Sequence, residues 1–111
     1  MYVIKEPAAY SFDKVGIKGK IFPFDTLTKN ISYVLVETRH GHETTIIEHT
    51  SDFIYYVLEG KGYFVINNVR ENCQKGDLVV IPAGKAFRYY GKLKLLLSCT
   101  PPWTIEQEET I

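Results

Sequence analysis

What this chain lacks narrows its class before any motif is read. It has no net charge, because 13 Lys and Arg balance 13 Asp and Glu. Nucleic-acid binders neutralise phosphates with a basic excess or stripe, so the balance argues against that partner. No apolar run approaches the roughly 20 residues that cross a bilayer. The stretch from Met1 to Ala9 carries Lys5, Glu6 and Pro7 and has no apolar signal core. The expectation is a cytoplasmic protein with no membrane partner. Cysteine is scarce as well. Cys73 and Cys99 lack Cys-x-x-Cys spacing and read as reduced thiols, not as a disulfide framework.

What is present is a small, aromatic-rich chain. Its 111 residues and 12.8 kDa fit one domain, 1–111, large enough to bury a core without staples. Eight Tyr, six Phe and one Trp are its unusual part, and they lie among strand signals. Ile31 to Glu37 is β-branched and aromatic; Thr44 to His49, Phe53 to Glu59, Gly62 to Ile66, Val69 to Cys73, Leu78 to Ile81, Ala86 to Tyr90 and Leu93 to Thr100 follow. Gly60-Lys61-Gly62, Asn67-Asn68, Gly76-Asp77 and Pro82-Ala83-Gly84 punctuate them as turns. Gly16 to Phe24 adds a strand or two, and Pro101-Pro102 ends the sheet. Thr104 and Gln107 stand at capping-box spacing, so Ile105 to Glu109 is expected to form one short C-terminal helical turn. Short strands between regular turn signals predict an all-β sandwich or barrel.

The turn residues also fall in a frame. Gly41, Ile47, His49, Phe53 and Gly60 keep the spacing Gly, five residues, His, one residue, His, three or four residues, Glu, six residues, Gly. Gly76, Pro82, Gly84, Phe87 and Gly91 keep the spacing Gly, five, Pro, one, Gly, two, His, three, Asn. These two motifs, at 41–60 and 76–91, resemble those of the cupin superfamily. The resemblance implies a jelly-roll (double-stranded β-helix) barrel, and it implies a homodimer. The alternation of large apolar residues on both faces of Phe53 to Leu58 agrees with a covered second face.

In metal-dependent cupins the two His and Glu of the first motif and the His of the second hold the ion. Here those places carry Ile47, His49, Phe53 and Phe87, and only His49 has a donor atom. The expectation is therefore no metal and no cofactor, since a useful site needs about three protein ligands. His40-Gly41-His42, with Glu48 beyond, mimics a metal cluster but is out of register with the frame, and it reads as solvated loop histidines, with a secondary role at the pocket rim as the alternative.

If the family's inward register holds, Ile47, His49, Phe53, Tyr55, Phe87 and Tyr89 line the barrel mouth as the ligand-binding set. The expected partner is a small organic molecule, a carbohydrate among the candidates. A barrel simply filled by these rings stands beside that reading. The alternative is a metal-independent sugar isomerase or epimerase, with His49 as general base and Tyr55 or Tyr89 as its acid partner.

Overall fold

The computed structural model describes residues 2–111. Its strands are β1 (Tyr10–Lys14), β2 (Ile17–Ile21), β3 (Ser32–Thr38), β4 (Ile46–Glu48), β5 (Asp52–Ile66), β6 (Val69–Gln74), β7 (Leu78–Ile81), β8 (Ala86–Thr100) and β9 (Glu108–Thr110). Every pairing is antiparallel.

Two 15-residue strands, β5 and β8, form the spine. They pair from Asp52↔Thr100 to Ile66↔Phe87. Toward one end the spine is flanked by β7 on β5 and by β3, β2 and β1 beyond β8; toward the other, by β6 on β5 and by β4 and β9 beyond β8. Both halves face one core, in which Val36, Val57, Phe64, Leu95, Phe87 and Tyr89 are almost wholly buried. Each such side chain contributes on the order of 2 kcal/mol of hydrophobic stabilisation.

The sequence pattern splits β5 at Gly60–Gly62 and β8 at Gly91, yet both strands run through. The glycines are corners rather than stops. Gly62 and Gly91 sit opposite each other in the ladder. A Cβ on Gly62 would lie 2.0 Å from the Tyr90 carbonyl oxygen, and one on Gly91 would lie 2.7 Å from that of Lys61. Only residues without side chains let the paired backbones fold over each other there. A register shift between Val57 and Glu59 then changes which side of β5 faces inward: Phe53, Tyr55 and Val57 are buried before it and Phe64 after it.

Asn67 and Asn68, at φ 50° and 66°, form the expected hairpin turn between β5 and β6. At the C-terminus the expected helical turn shrinks to a 3-10 turn over Ile105–Gln107 without a side-chain cap. The chain then adds β9 to the free edge of β4, a strand the capping-box reading hides. Strand β1 is likewise missed by the sequence reading, its alternation interrupted by charged residues on an edge.

Candidate functional site

The inner face of the sheet carries a cavity of about 370 Å³. That is at the small end of the range for small-molecule sites. Its wall includes Phe53, Tyr55 and Tyr89 from the two spine strands, as the alternation predicts. Phe87 packs behind them, its ring centroid 5.9 Å from that of Phe53 and 6.2 Å from that of Tyr55. The four expected aromatic residues are thus brought together, and the cavity remains open beside them.

Ile47 and His49 are not part of this group. Strand β4 buries Ile46 and Glu48 and turns Ile47 the other way. His49 is exposed outside the cavity, its Nε2 3.3 Å from Glu109 Oε1. The expected inward register of these two residues is corrected here, and the cause is local. The chain bends at His49–Thr50, between β4 and β5, so the parity of β5 does not carry back into β4. Ser51 holds the bend: its N–H donates to Gln107 Oε1 at 2.8 Å and its hydroxyl donates to the Pro101 carbonyl. The four-residue variant of the first motif, counted back from Phe53, lands on Ile46 and Glu48. That variant was the signal available in the sequence.

With this register the four positions that hold metal in metal-dependent cupins carry Ile46, Glu48, Phe53 and Phe87. Three have no donor atom, and the fourth is a buried carboxyl. No group of three or more His, Cys, Asp or Glu side chains among the described residues is arranged to hold an ion. The residues present do not fit a metal of the usual cupin kind.

The chemistry gathers around two residues that the sequence reading set aside. His42, expected in a solvated loop, is only 7% exposed and lines the cavity. Its backbone is pinned where the loop meets β8, with His42 N–H donating to the Tyr89 carbonyl at 3.0 Å. Gly41 makes this approach possible, since at φ +118° a Cβ would meet Tyr89 O at 2.2 Å. Nδ1 lies 2.7 Å from the Thr44 carbonyl oxygen. A carbonyl only accepts, so the geometry assigns the proton to Nδ1 and leaves Nε2 as the free base nitrogen. Burial holds the imidazole below its ordinary pKa, against the opposing pull of Thr44 and Glu108. His42 is therefore neutral near pH 7. Its companion His40 is exposed, as expected.

Glu48 is the second. It is 2% exposed, and Trp103 Nε1–H donates to its Oε1 at 3.2 Å. Its pKa is pushed up to about 8, first by burial and then by Glu108, while Trp103 and Lys14 pull the other way.

The two phenols complete the site. Tyr55 and Tyr89 pack edge to face with centroids 5.5 Å apart, and His42 sits against the Tyr89 ring at the same centroid distance. Burial pushes both phenols well above their ordinary pKa, so both stay protonated. The Tyr89 hydroxyl lies beside that of Tyr55 but makes no hydrogen bond of good geometry with any described residue. A buried hydroxyl left unpaired costs about 1–3 kcal/mol. That cost points to a partner on the cavity side.

Comparisons with known proteins agree with this architecture. The ARD/ARD′ family model matches residues 43–92. The acireductone dioxygenase of Ciona intestinalis is 26% identical, with the match covering 82% of this chain and 70% of that protein. Matches to the curated relatives span between 34% and 70% of their lengths. Among solved structures, Streptomyces Pac13, described as a nucleoside dehydratase, superposes with a TM-score of 0.94 at 22% identity, over all of this chain and 91% of that one. The Cnp3 cupin domain of Schizosaccharomyces pombe superposes with a TM-score of 0.70 at 16% identity, over 86% of this chain and 70% of that one. The chain has the cupin fold, an architecture that hosts many functions. Pac13 has been solved with uridine as H42Q, Y55F and Y89F variants, and this chain has His42, Tyr55 and Tyr89.

Proposed function

We propose that this cupin binds a small hydroxylated ring compound of the nucleoside type in its cavity and, without a metal, eliminates water from it. The observation that carries the reading is the convergence of His42, Tyr55 and Tyr89 on one 370 Å³ cavity. The residue types substituted in the uridine-bound Pac13 structures support it. A ribose is also a carbohydrate, which keeps the ligand class expected from the aromatic lining.

Elimination needs a proton taken from carbon and a proton given to the departing hydroxyl. Neutral His42, held through Nδ1–H, has Nε2 for the first task. An imidazole is too weak a base for an ordinary sugar C–H, so the carbon must lie next to a carbonyl and the hydroxyl one carbon further on. Tyr55 and Tyr89 act as neutral hydrogen-bond donors that orient the substrate and polarise its carbonyl. Metal independence rests on the apolar residues at three of the four ligand positions.

A β-hydroxy carbonyl nucleoside incubated in deuterated water tests this. Release of water is expected, with any deuterium beside the carbonyl confined to recovered substrate, and the release is expected to fall by roughly 10²–10⁴-fold in His42→Gln. Activity that survives in His42→Gln contradicts the reading. The isomerase alternative shares the first step, and it is recognised by exchange without loss of water. We also propose a homodimer formed through the outer face of β7, β5, β8 and β3, whose aligned rows are Val80, Ile54, Ser98, Tyr33 and Leu78, Tyr56, Leu96, Leu35.

A further inference from the structure

The elimination proposed above leaves one role unfilled. Tyr55 and Tyr89 hold their protons too tightly to be efficient acids near neutral pH, since a general acid works best with a pKa near the working pH. The departing hydroxyl needs another donor.

The C-terminal strand supplies a candidate. In the β4–β9 ladder Glu48 and Glu108 are directly opposite each other. Two ionised carboxylates in that position repel, and the burial of Glu48 makes the repulsion larger. Glu108 lines the cavity, while Glu48 is sealed behind it. Glu48 Oε1 takes the Trp103 hydrogen bond, but Oε2 is buried with no well-aligned partner among the described residues. A protonated Oε2 facing Glu108 removes both the charge repulsion and the stranded oxygen.

We propose that Glu48 and Glu108 form a one-proton carboxyl pair in the cavity wall, in which Glu48 holds the proton at rest, donating it in a hydrogen bond to Glu108, and Glu108 relays it to the substrate's departing hydroxyl. The inference rests on the elimination reading for its chemistry. In the step, the electrons of the broken C–H bond form the carbon–carbon double bond and the proton goes to His42 Nε2. The C–O bond breaks, and the leaving hydroxyl takes the pair's proton and departs as water. Proton return from His42 to the pair through solvent closes the cycle with nothing oxidised or reduced.

The charged and titratable groups facing the pair come from several elements. Lys14 of β1 attracts its negative charge, and Lys14 Nζ itself sits 5.7 Å from the Phe12 ring centroid and 5.3 Å from that of Trp103. His42 of the β3–β4 loop feels Glu108, and Tyr55 of β5 and Cys99 of β8 feel Glu48. Trp103 is the neutral donor on the remaining side.

The test is a pH titration of side-chain glutamate carboxyl signals by ¹³C NMR on the whole chain, without substrate. One glutamate signal is expected to titrate far above the others, near pH 8, and to vanish in Glu48→Gln. In Glu108→Gln the same signal is expected to move down toward the ordinary range, because the opposing charge is gone. All glutamates titrating together near their ordinary pKa overturns the pair, and so does a high signal unmoved by Glu108→Gln, which then belongs to Glu48 alone. If Glu48→Gln fails to fold, Glu108→Gln still decides. Uridine added as a probe is expected to bind less tightly as the pair loses its proton, and that loss of affinity is expected to be absent in Glu48→Gln. An equal pH dependence in both overturns the pair's role toward the ligand. No uridine binding at any pH counts against the nucleoside reading and leaves the carboxyl titration to judge the pair.

Discussion

Tyr89 shows how one atom separates packing from function. Its ring is core, packed among Tyr55, Phe64 and His42, while its hydroxyl is stranded. Tyr89→Phe keeps the ring and removes the stranded group. Chemical denaturation is expected to show stability unchanged or higher by about 1 kcal/mol, while affinity for the ligand falls. A loss of several kcal/mol would mean that the hydroxyl is structural. At this scale the sequence was half legible. Alternation placed Phe53, Tyr55, Phe87 and Tyr89 inward because both spine strands keep their parity near them. It failed for His42, Glu48 and His49, because their orientation is set by a loop contact and a bend. His42 is held inward by the Tyr89 and Thr44 carbonyls, contacts made across the fold or by a turn, and neither leaves a mark on periodicity.

Among the elements, the glycine corners and the C-terminal strand matter most. Gly60 and Gly62 were legible as turn residues and Gly91 as a position in the motif frame, but their use in folding over two continuous strands was not. A glycine that ends a strand and one that creases it look alike in a sequence. Gly62→Ala is the sharp test, because the new methyl must displace backbone rather than a flexible side chain. We expect it to destabilise the fold by about 3 kcal/mol, the upper end of what overpacking costs, because the contact is unyielding. A midpoint within experimental error of the parent would show that the corner is soft. The segment after Thr100 was legible only as a stop. Its role is to bring Trp103 and Glu108 to the cavity, fastened by Gln107 to Ser51 and by β9 to β4. Strand pairs between residues some 60 apart carry no local signal, and a three-residue strand has too little pattern of its own.

For the molecule as a whole, two buried titratable groups give stability a defined pH dependence. Glu48 has a folded pKa raised from 4.5 to about 8, so the unfolded chain releases its proton first, and stability falls as pH rises across that window. His42 has a folded pKa below its ordinary 6.5, so the unfolded chain takes up a proton first, and stability also falls as pH drops through and below that value. Thermal melts are expected to peak in mildly acidic buffer, and Glu48→Gln is expected to flatten the decline on the alkaline side. A decline of equal slope in the variant would remove Glu48 as its source. The same scale carries the proposed dimer. Leu78, Val80, Tyr56 and Tyr33 are 37–60% exposed on one face of the sheet. Sedimentation at micromolar concentration is expected to show twice the 12.8 kDa chain mass, and a clean single-chain species would contradict the pairing. The central claim is that His42, Tyr55 and Tyr89 form a ligand site. The most direct measurement is an NMR titration of the protein with uridine, following His and Tyr ring signals. The His42, Tyr55 and Tyr89 rings are expected to shift together on one saturable curve while His49 stays still. Shifts at His49 alone, or none at any of the three cavity residues, would contradict it.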